Sequence, residues 1–376
     1  MTELADRLTQ ALPAIRAGAE PADERGEFPA GSSAALRAAG LLGLLSPESA
    51  GGIGGGPADV VEAVSAVAGA CGSTAMVYLM HLSAAAVVGA AVPPEGGDDL
   101  VAALASGAQL GTLAFSERGS RSHFWAPVSR ARRLDGAVGI RASKSFVTSA
   151  SHADVYVAST LAPDAASPTD SSLYLVARGS DGVRIDGTFD GLGLRGNDSA
   201  PVTLDVTVPT GARLGDDCSG FGLMMQVVLP CFSLGNAAVS LGLARAALEA
   251  AIAHAGGADF VHLDSALRDL PTIRAYLAKG WTDLVAHEAL LRETAAKVAA
   301  PDDTTVLAVL ATKAGCNEAA LRITETALRV TGGAGFSKQV AVDRPYRDAR
   351  AGFVMAPTAD ALFDFAGRAL CGMDLF

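Results

Sequence analysis

The chain has 376 residues, half of them hydrophobic, so it is long enough to bury a large core in one multi-lobed domain or in two or three domains. Its formal net charge is −11, and its basic residues are scattered apart from a small cluster at 130–133, which argues against a nucleic-acid partner. The five cysteines are odd in number, widely spaced and without a C-x-x-C pair; this predicts no disulfide framework, no metal site and a reducing, cytoplasmic environment.

Residues 1–107 have the pattern of an all-helical domain. The long apolar region from Ala63 to Val92 is broken by glycines and a histidine, so it predicts two buried helices and no membrane span. The glycine-rich run 51–56 lacks the preceding strand and the following acid of a dinucleotide-binding fingerprint, and it is interpreted as a loop. Apolar residues recur at spacings of three and four in five predicted helices: 2–17, 32–42, 57–70, 73–92 and 97–106.

The pattern becomes β-like between residues 108 and 216. Six runs there predict an antiparallel barrel or sandwich: GTLAFSE, GAVGIRASKSFVTS, ADVYVASTL, SSLYLVARG, GVRIDGTF and APVTLDVTVP. From residue 217 to 376 helical periodicity returns in long segments typical of a four-helix bundle: 219–255, 266–298, 304–330 and 358–371. The predicted fold class is therefore α+β, with an N-terminal helical domain, a middle β domain and a C-terminal four-helix bundle.

Local motifs accompany this order of domains. LAFSERGSRSH (113–123) is a polar turn after a strand, and KSFVTS (144–149) is an alternating strand. ALRVTGGAGFSKQ (327–339) ends a helix with glycines that permit close backbone approach, and VDRPYRDAR follows it. With the domain order, these motifs make the chain resemble the acyl-CoA dehydrogenase superfamily over nearly its whole length.

The resemblance implies an FAD cofactor between the β domain and the bundle. It assigns Ser116 to the pyrimidine side of the flavin, Phe146 to the ring face and Thr148 to flavin N5, with Thr358 as a further cofactor contact. A donor near N5 stabilises the charge that develops on reduction. Glu117 matches a family position and is expected to orient the turn.

The far end of the cofactor is assigned to the glycine motif. Gly332 and Gly333 would let the backbone approach the pyrophosphate, and Arg329 stands where the family usually has a glutamine. The family's R-x-x-F-G element, which holds the FAD of a neighbouring subunit, is not intact, because AGGADF (255–260) has no arginine. Shared FAD binding implies a homodimer or homotetramer.

The resemblance also implies an acyl-thioester substrate. Ser122 would lie near the thioester arm, and Phe232 and Ser233 stand at substrate-facing positions of the first long bundle helix. The Arg and Asp that the family commonly uses on the CoA arm align with Ser233 and Pro230, so the acyl group is expected on CoA or on a carrier protein. The electrons would pass to an electron-transfer partner or to oxygen.

The usual proton-abstracting base is missing from both places where the family has one. The Glu of the family's E-G-T stretch corresponds to Ala356, and the alternative position corresponds to Phe232. Three explanations remain open. Asp360, one helical turn after Ala356, could take over the role. The protein could instead be a flavin-dependent monooxygenase, or it could bind flavin or acyl groups without turnover.

Overall fold

The computed structural model of this protein describes residues 3–374. The N-terminal part is helical, and its longest helix, α5, is buried along most of its length. Helices 57–70 and 97–106 coincide with their predicted bounds, whereas α2 was not predicted. The helices in this part are α1 (Glu3–Ala17), α2 (Ala19–Glu24), α3 (Ala30–Ala38), α4 (Pro57–Ala70), α5 (Gly72–Ala90) and α6 (Gly97–Ser106).

Two helical stretches, Gly72–Ala90 and Gly220–Gly257, are long and apolar enough to cross a membrane by length and composition. In the structure, 78% and 83% of the residues in their apolar windows are buried inside the protein. They therefore behave as the core helices of a soluble fold, as predicted for the first of them.

The middle part consists of two four-stranded sheets packed face to face as a sandwich. One sheet has the strand order β1-β4-β5-β8 and the other has the order β2-β3-β7-β6. Their facing side chains form one core, which includes Tyr156, Tyr174 and Leu204. The strands are β1 (Gly111–Ala114), β2 (Arg132–Leu134), β3 (Ala137–Val147), β4 (Val155–Leu161), β5 (Ser171–Ala177), β6 (Val183–Ile185), β7 (Ala200–Pro209) and β8 (Arg213–Leu214).

The expectation of purely antiparallel pairing is wrong for one pair, because β1 and β4 run parallel. Every second residue of β7 is buried and the residues between are exposed or partly exposed, since the outer face of the strand meets solvent. β4 is buried almost throughout, because its second face packs on the helices: Val155 and Val157 share a core with Val87 of α5.

The C-terminal part is a bundle built around a long helix that is buried over most of its N-terminal half. This helix follows a short helix, α7 (Gly220–Leu223), and one π-helical stretch, Met224–Val228. The charged segment 343–354, for which no helix was predicted, forms a helix of its own. The elements are α8 (Leu229–Gly257), β9 (Asp259–Phe260), β10 (Ser265–Ala266), α9 (Pro271–Ala299), α10 (Thr305–Phe336), α11 (Asp343–Val354) and α12 (Ala359–Leu370).

Candidate active site

The turn that follows β1 is organised by one buried carboxylate. Glu117 Oε2 accepts hydrogen bonds from the backbone amides of Val128 (3.0 Å) and Ser129 (2.9 Å). Its Oε1 accepts from Ser129 Oγ (2.5 Å) and from Lys144 Nζ (2.6 Å), and that ion pair is buried at both ends. Burial raises the pKa of Glu117, but Lys144 and these donors outweigh it and keep the pKa below its ordinary value. The expectation that Glu117 orients the turn is confirmed.

A bulge in β3 turns Phe146 toward solvent. The pairing of β3 with β7 shifts register between Lys144 and Val147. Phe146 has a φ of +52°, and the residue is 73% exposed. A bulky residue in left-handed backbone costs about 1–3 kcal/mol and persists where the surroundings impose it, commonly at ligand-binding sites. An exposed aromatic ring on such a backbone is suited to cover a flat ligand.

Ser116 and Thr148 lie on either side of this bulge. The amide of Ser145 donates to the carbonyl of Ser116 at 2.8 Å, which places Ser116 beside Phe146. Thr148 is buried, and its hydroxyl lies 2.9 Å from Ser199 Oγ. A hydroxyl donates and accepts at once, so Thr148 retains capacity for a second hydrogen bond. The structure thus brings together the three residues predicted to contact the flavin ring.

Replacing Phe146 by Ala is expected to weaken FAD binding about 10- to 100-fold, the effect of losing one stacking contact worth about 1–3 kcal/mol. The stability of the flavin-free protein should not fall, because the ring buries little surface within the chain. Fluorescence titration with FAD and thermal unfolding of the flavin-free variant measure the two effects. Phe146→Tyr is the matched control and should bind normally. An unchanged Kd for Phe146→Ala would refute the assignment.

The β domain and the bundle meet at two hydroxyl groups. Ser122 Oγ lies 3.2 Å from Thr358 Oγ1, although the residues are 236 positions apart. Thr358 is the N-cap of α12, and its hydroxyl accepts from the amide of Ala361 at 3.4 Å. The predicted substrate contact Ser122 and the predicted cofactor contact Thr358 are therefore neighbours.

Asp360 occupies a different environment. α12 begins at Ala359, so Asp360 is a first-turn residue, and it is exposed. An acid in the first turn is stabilised by the helix dipole. Ala356 precedes the helix and is partly buried against the apolar core that the sheet shares with the bundle. This geometry does not favour Asp360 as a replacement for the missing base.

An apolar cavity of about 170 Å³ lies next to the Ser122–Thr358 contact. Four parts of the chain form its wall: the turn after β1, the start of α8, the first two turns of α10 and the N-terminal half of α12. The lining residues include Trp125, Leu229, Leu310, Pro357 and Phe365. Since Pro357 follows Ala356 directly, the cavity lies next to the position that the sequence analysis predicts to correspond to the family's base.

The first turns of α8 bring further side chains to this region. Phe232 is partly buried and packs against the same apolar core. Ser233 is buried, and its hydroxyl has no hydrogen-bond partner within the described part of the chain. A buried hydroxyl without a partner costs free energy, so Ser233 fits the role of binding a polar group of a ligand.

Sequence reasoning missed Lys313 on α10. Its Nζ donates to the carbonyls of Met355 (3.2 Å) and Pro357 (2.7 Å), the residues on either side of Ala356. The side chain is fully buried. A lone lysine inside the apolar helical run TVLAVLATKAGC was a signal, because a lysine is rarely buried without a function or a partner.

The predicted pyrophosphate contacts lie at the other end of the bundle. Gly332 breaks α10 with φ +52° and ψ −131°, and neither Gly332 nor Gly333 has atoms near the position of an added Cβ. Val330 beside them packs on Ala251 of α8, about 33 Å along that helix from Leu229 at the cavity. Arg329 is exposed and lies over the ring of Tyr276. One chain therefore holds these residues far from the cavity beside the Ser122–Thr358 contact.

Three family models match consecutive parts of the chain. The N-terminal, middle and C-terminal domain models of acyl-CoA dehydrogenase match residues 10–107, 112–207 and 219–370. A probable acyl-CoA dehydrogenase of Bacillus subtilis (strain 168) is 30% identical over 344 residues, which cover 88% of this chain and 87% of that protein.

Two further proteins are similar along almost their entire length. Cyclohex-1-ene-1-carbonyl-CoA dehydrogenase of Geobacter metallireducens is 27% identical over 350 residues, covering 93% of this chain and 91% of that one. The structure of butyryl-CoA dehydrogenase from Megasphaera elsdenii matches with a TM-score of 0.91 at 22% identity, covering 99% and 98% of the two chains, and so shows the same fold. With its three domain matches and a 30% identical relative, this chain belongs to the acyl-CoA dehydrogenase family.

Proposed function

We propose that this protein oxidises the Cα–Cβ bond of a short- or medium-chain acyl thioester, and that the apolar cavity between the β domain and the bundle receives the acyl group. Family membership supplies the class of activity, an FAD-dependent oxidoreductase acting on CH–CH groups. The predicted resemblance, fold class and cofactor are thereby confirmed, and the related dehydrogenases do not favour the monooxygenase alternative.

The residues of the candidate site fit an FAD cofactor. Phe146 is an exposed ring on constrained backbone, and Ser116 and Thr148 flank it. These three residues would hold the flavin ring, and Thr358 is the further cofactor contact that the resemblance implies. When bound, FAD supplies the two-electron acceptor for the hydrogen that leaves Cβ. The chain's own residues bind the acyl group, exclude water from it and hold the thioester in place.

The cavity is the observation that supports the substrate class. An apolar cavity of about 150 Å³ accommodates a benzene molecule, so a volume of about 170 Å³ suits an acyl tail of about six carbons, linear or cyclic. Ser122 contacts Thr358, which follows the lining residue Pro357, and Ser233 lies one helical turn after the lining residue Leu229; their hydroxyl groups would be available to the polar thioester. CoA and a carrier protein both remain possible donors of the acyl group, because Ser233 and Pro230 occupy the positions of the usual CoA contacts.

An anaerobic titration of the flavin-loaded protein tests this function. Hexanoyl-CoA or cyclohexanecarbonyl-CoA alone should bleach the flavin absorbance, and palmitoyl-CoA should not. Carrier-protein-linked hexanoate in the same assay distinguishes the two donors. Bleaching that requires a reductase and is followed by oxygen consumption would instead indicate a monooxygenase. No bleaching under either condition would indicate a non-catalytic binder.

The assembly we propose is a homodimer or homotetramer in the cytoplasm. Within one chain the glycine motif lies roughly 33 Å along α8 from the cavity. A second copy would therefore bring its own Gly332, Gly333 and Arg329 to the cofactor of the first. Phe336 and Val261 support a shared surface, because both are large apolar residues that are strongly exposed in a single chain. The flavin's electrons would pass to an electron-transfer protein or to oxygen.

A further inference from the structure

A buried lysine lies beside both positions at which the family's carboxylate is missing. Lys313 Nζ is bonded to the carbonyls that flank Ala356, and it lies 5.9 Å from the centre of the Phe232 ring. We propose that Lys313 is the group that accepts the α-proton of the acyl thioester in this protein. The proposal rests on the proposed function and adds the residue that performs its proton transfer.

In the part of the chain that the structure describes, Lys313 has no counter-ion. Residues 355–358 carry no ionisable side chain, and no ion pair of Lys313 occurs within residues 3–374. The charged groups of the packed helices have other partners or face solvent: His287 of α9 is bonded to Asp283, Arg350 of α11 is bonded to Thr324, and Asp360 and Asp364 of α12 are exposed. The buried Asp348 of α11 accepts a hydrogen bond from the amide of Leu194, and burial raises its pKa to about 6. Burial alone lowers the pKa of Lys313 to about 7.

The hydrogen bonds suit a neutral amine. A neutral amine has two N–H donors and one lone pair, whereas an ammonium has three donors. The two carbonyl oxygens accept both donors of the neutral form, which leaves the lone pair free to accept a proton. When the ammonium forms, its third N–H can face the Phe232 ring, whose π-electrons attract a cation.

The α C–H bond breaks and an N–H bond forms at Lys313 Nζ. The electron pair of that C–H bond becomes the second bond between Cα and Cβ, as the β-hydrogen leaves with its own electron pair to the two-electron acceptor that the family's activity supplies. The proton on Lys313 is then released to solvent after the product leaves.

The test compares Lys313→Gln with the wild type. Glutamine keeps two N–H donors for the two carbonyls but cannot act as a base. The rate of flavin bleaching by hexanoyl-CoA should fall by at least about 10²-fold, the lower end of what general-base catalysis supplies. FAD content and melting temperature should stay close to the wild type. The wild-type rate should rise with pH through about 7, as Lys313 loses its proton.

A second measurement does not depend on hydride transfer. Exchange of the thioester's α-protons with D₂O, followed by NMR, should be fast with the wild type and slow with Lys313→Gln. A variant that bleaches and exchanges within threefold of the wild type would overturn the proposal while leaving the proposed function intact. Should the variant lose FAD, the wild-type pH profile decides, and a rate without titration near pH 7 overturns the assignment. A wild type that no acyl thioester bleaches overturns both.

Discussion

Installing a glutamate at position 356 in a Lys313→Met background is expected to raise the rate of flavin bleaching by an acyl thioester by about 10²- to 10⁴-fold. Pro357, the residue after Ala356, lines the apolar cavity, and the carbonyls of Met355 and Pro357 on either side of Ala356 are bonded to Lys313 of α10. A carboxylate there would lie where the family places its base. Removing Lys313 prevents an ion pair that would lower the pKa of the new carboxyl group and so weaken it as a base.

Ala356→Gln in the same background is the matched control, because glutamine has the same shape and no basic group. Stopped-flow bleaching at several pH values separates the two variants. The glutamate variant should gain activity as pH rises through the pKa of the new carboxyl, and the glutamine variant should gain none. Equal rates for both would show that position 356 does not face the α-carbon.

Replacing Lys144 by Met is expected to lower the free energy of unfolding by about 3–5 kcal/mol. Both side chains of this ion pair are buried in the wild type. The substitution therefore leaves the Glu117 carboxylate buried without its counter-ion. FAD retention should fall as well, because Glu117 holds the turn that carries Ser116 and Ser122. Urea denaturation and flavin content measure the two effects.

Arg141 on the same strand provides the control. It pairs with Asp205 at 2.8 Å, but its side chain is 84% exposed, so Arg141→Met should cost at most about 1 kcal/mol. Combining Lys144→Met with Glu117→Gln should recover part of the lost stability, since the carboxylate charge is then removed. A loss below 1 kcal/mol for Lys144→Met alone would contradict the importance of this pair.

The order of helices and strands was predictable because it depends on local periodicity. α4 and α6 begin and end where their apolar spacing begins and ends, and β7 shows the alternation expected of a half-exposed strand. Ser116, Phe146 and Thr148 were predicted as flavin-ring contacts from short motifs, and the structure places them close together around the β3 bulge.

Features set by distant partners were missed. α11 has few apolar residues, and Arg347 within it forms a bidentate ion pair with Asp23, 324 positions earlier. α9 begins at Pro271 and not at 266, because Ala266 pairs with Asp259 in a small hairpin and proline favours the first helical position. The parallel pairing of β1 with β4 is likewise a tertiary contact.

The sequence by itself determined the family, the α+β order of domains and the absence of a carboxylate at Ala356 and Phe232. Only the tertiary structure showed that Lys313 lies between those two positions, that Asp360 points to solvent and that Gly332 is remote from the apolar cavity. The physical reason is that periodicity and short motifs depend on the local secondary structure of each segment and on which of its faces is buried. The protonation and reach of a buried side chain depend instead on groups brought near it by the packing of the whole chain.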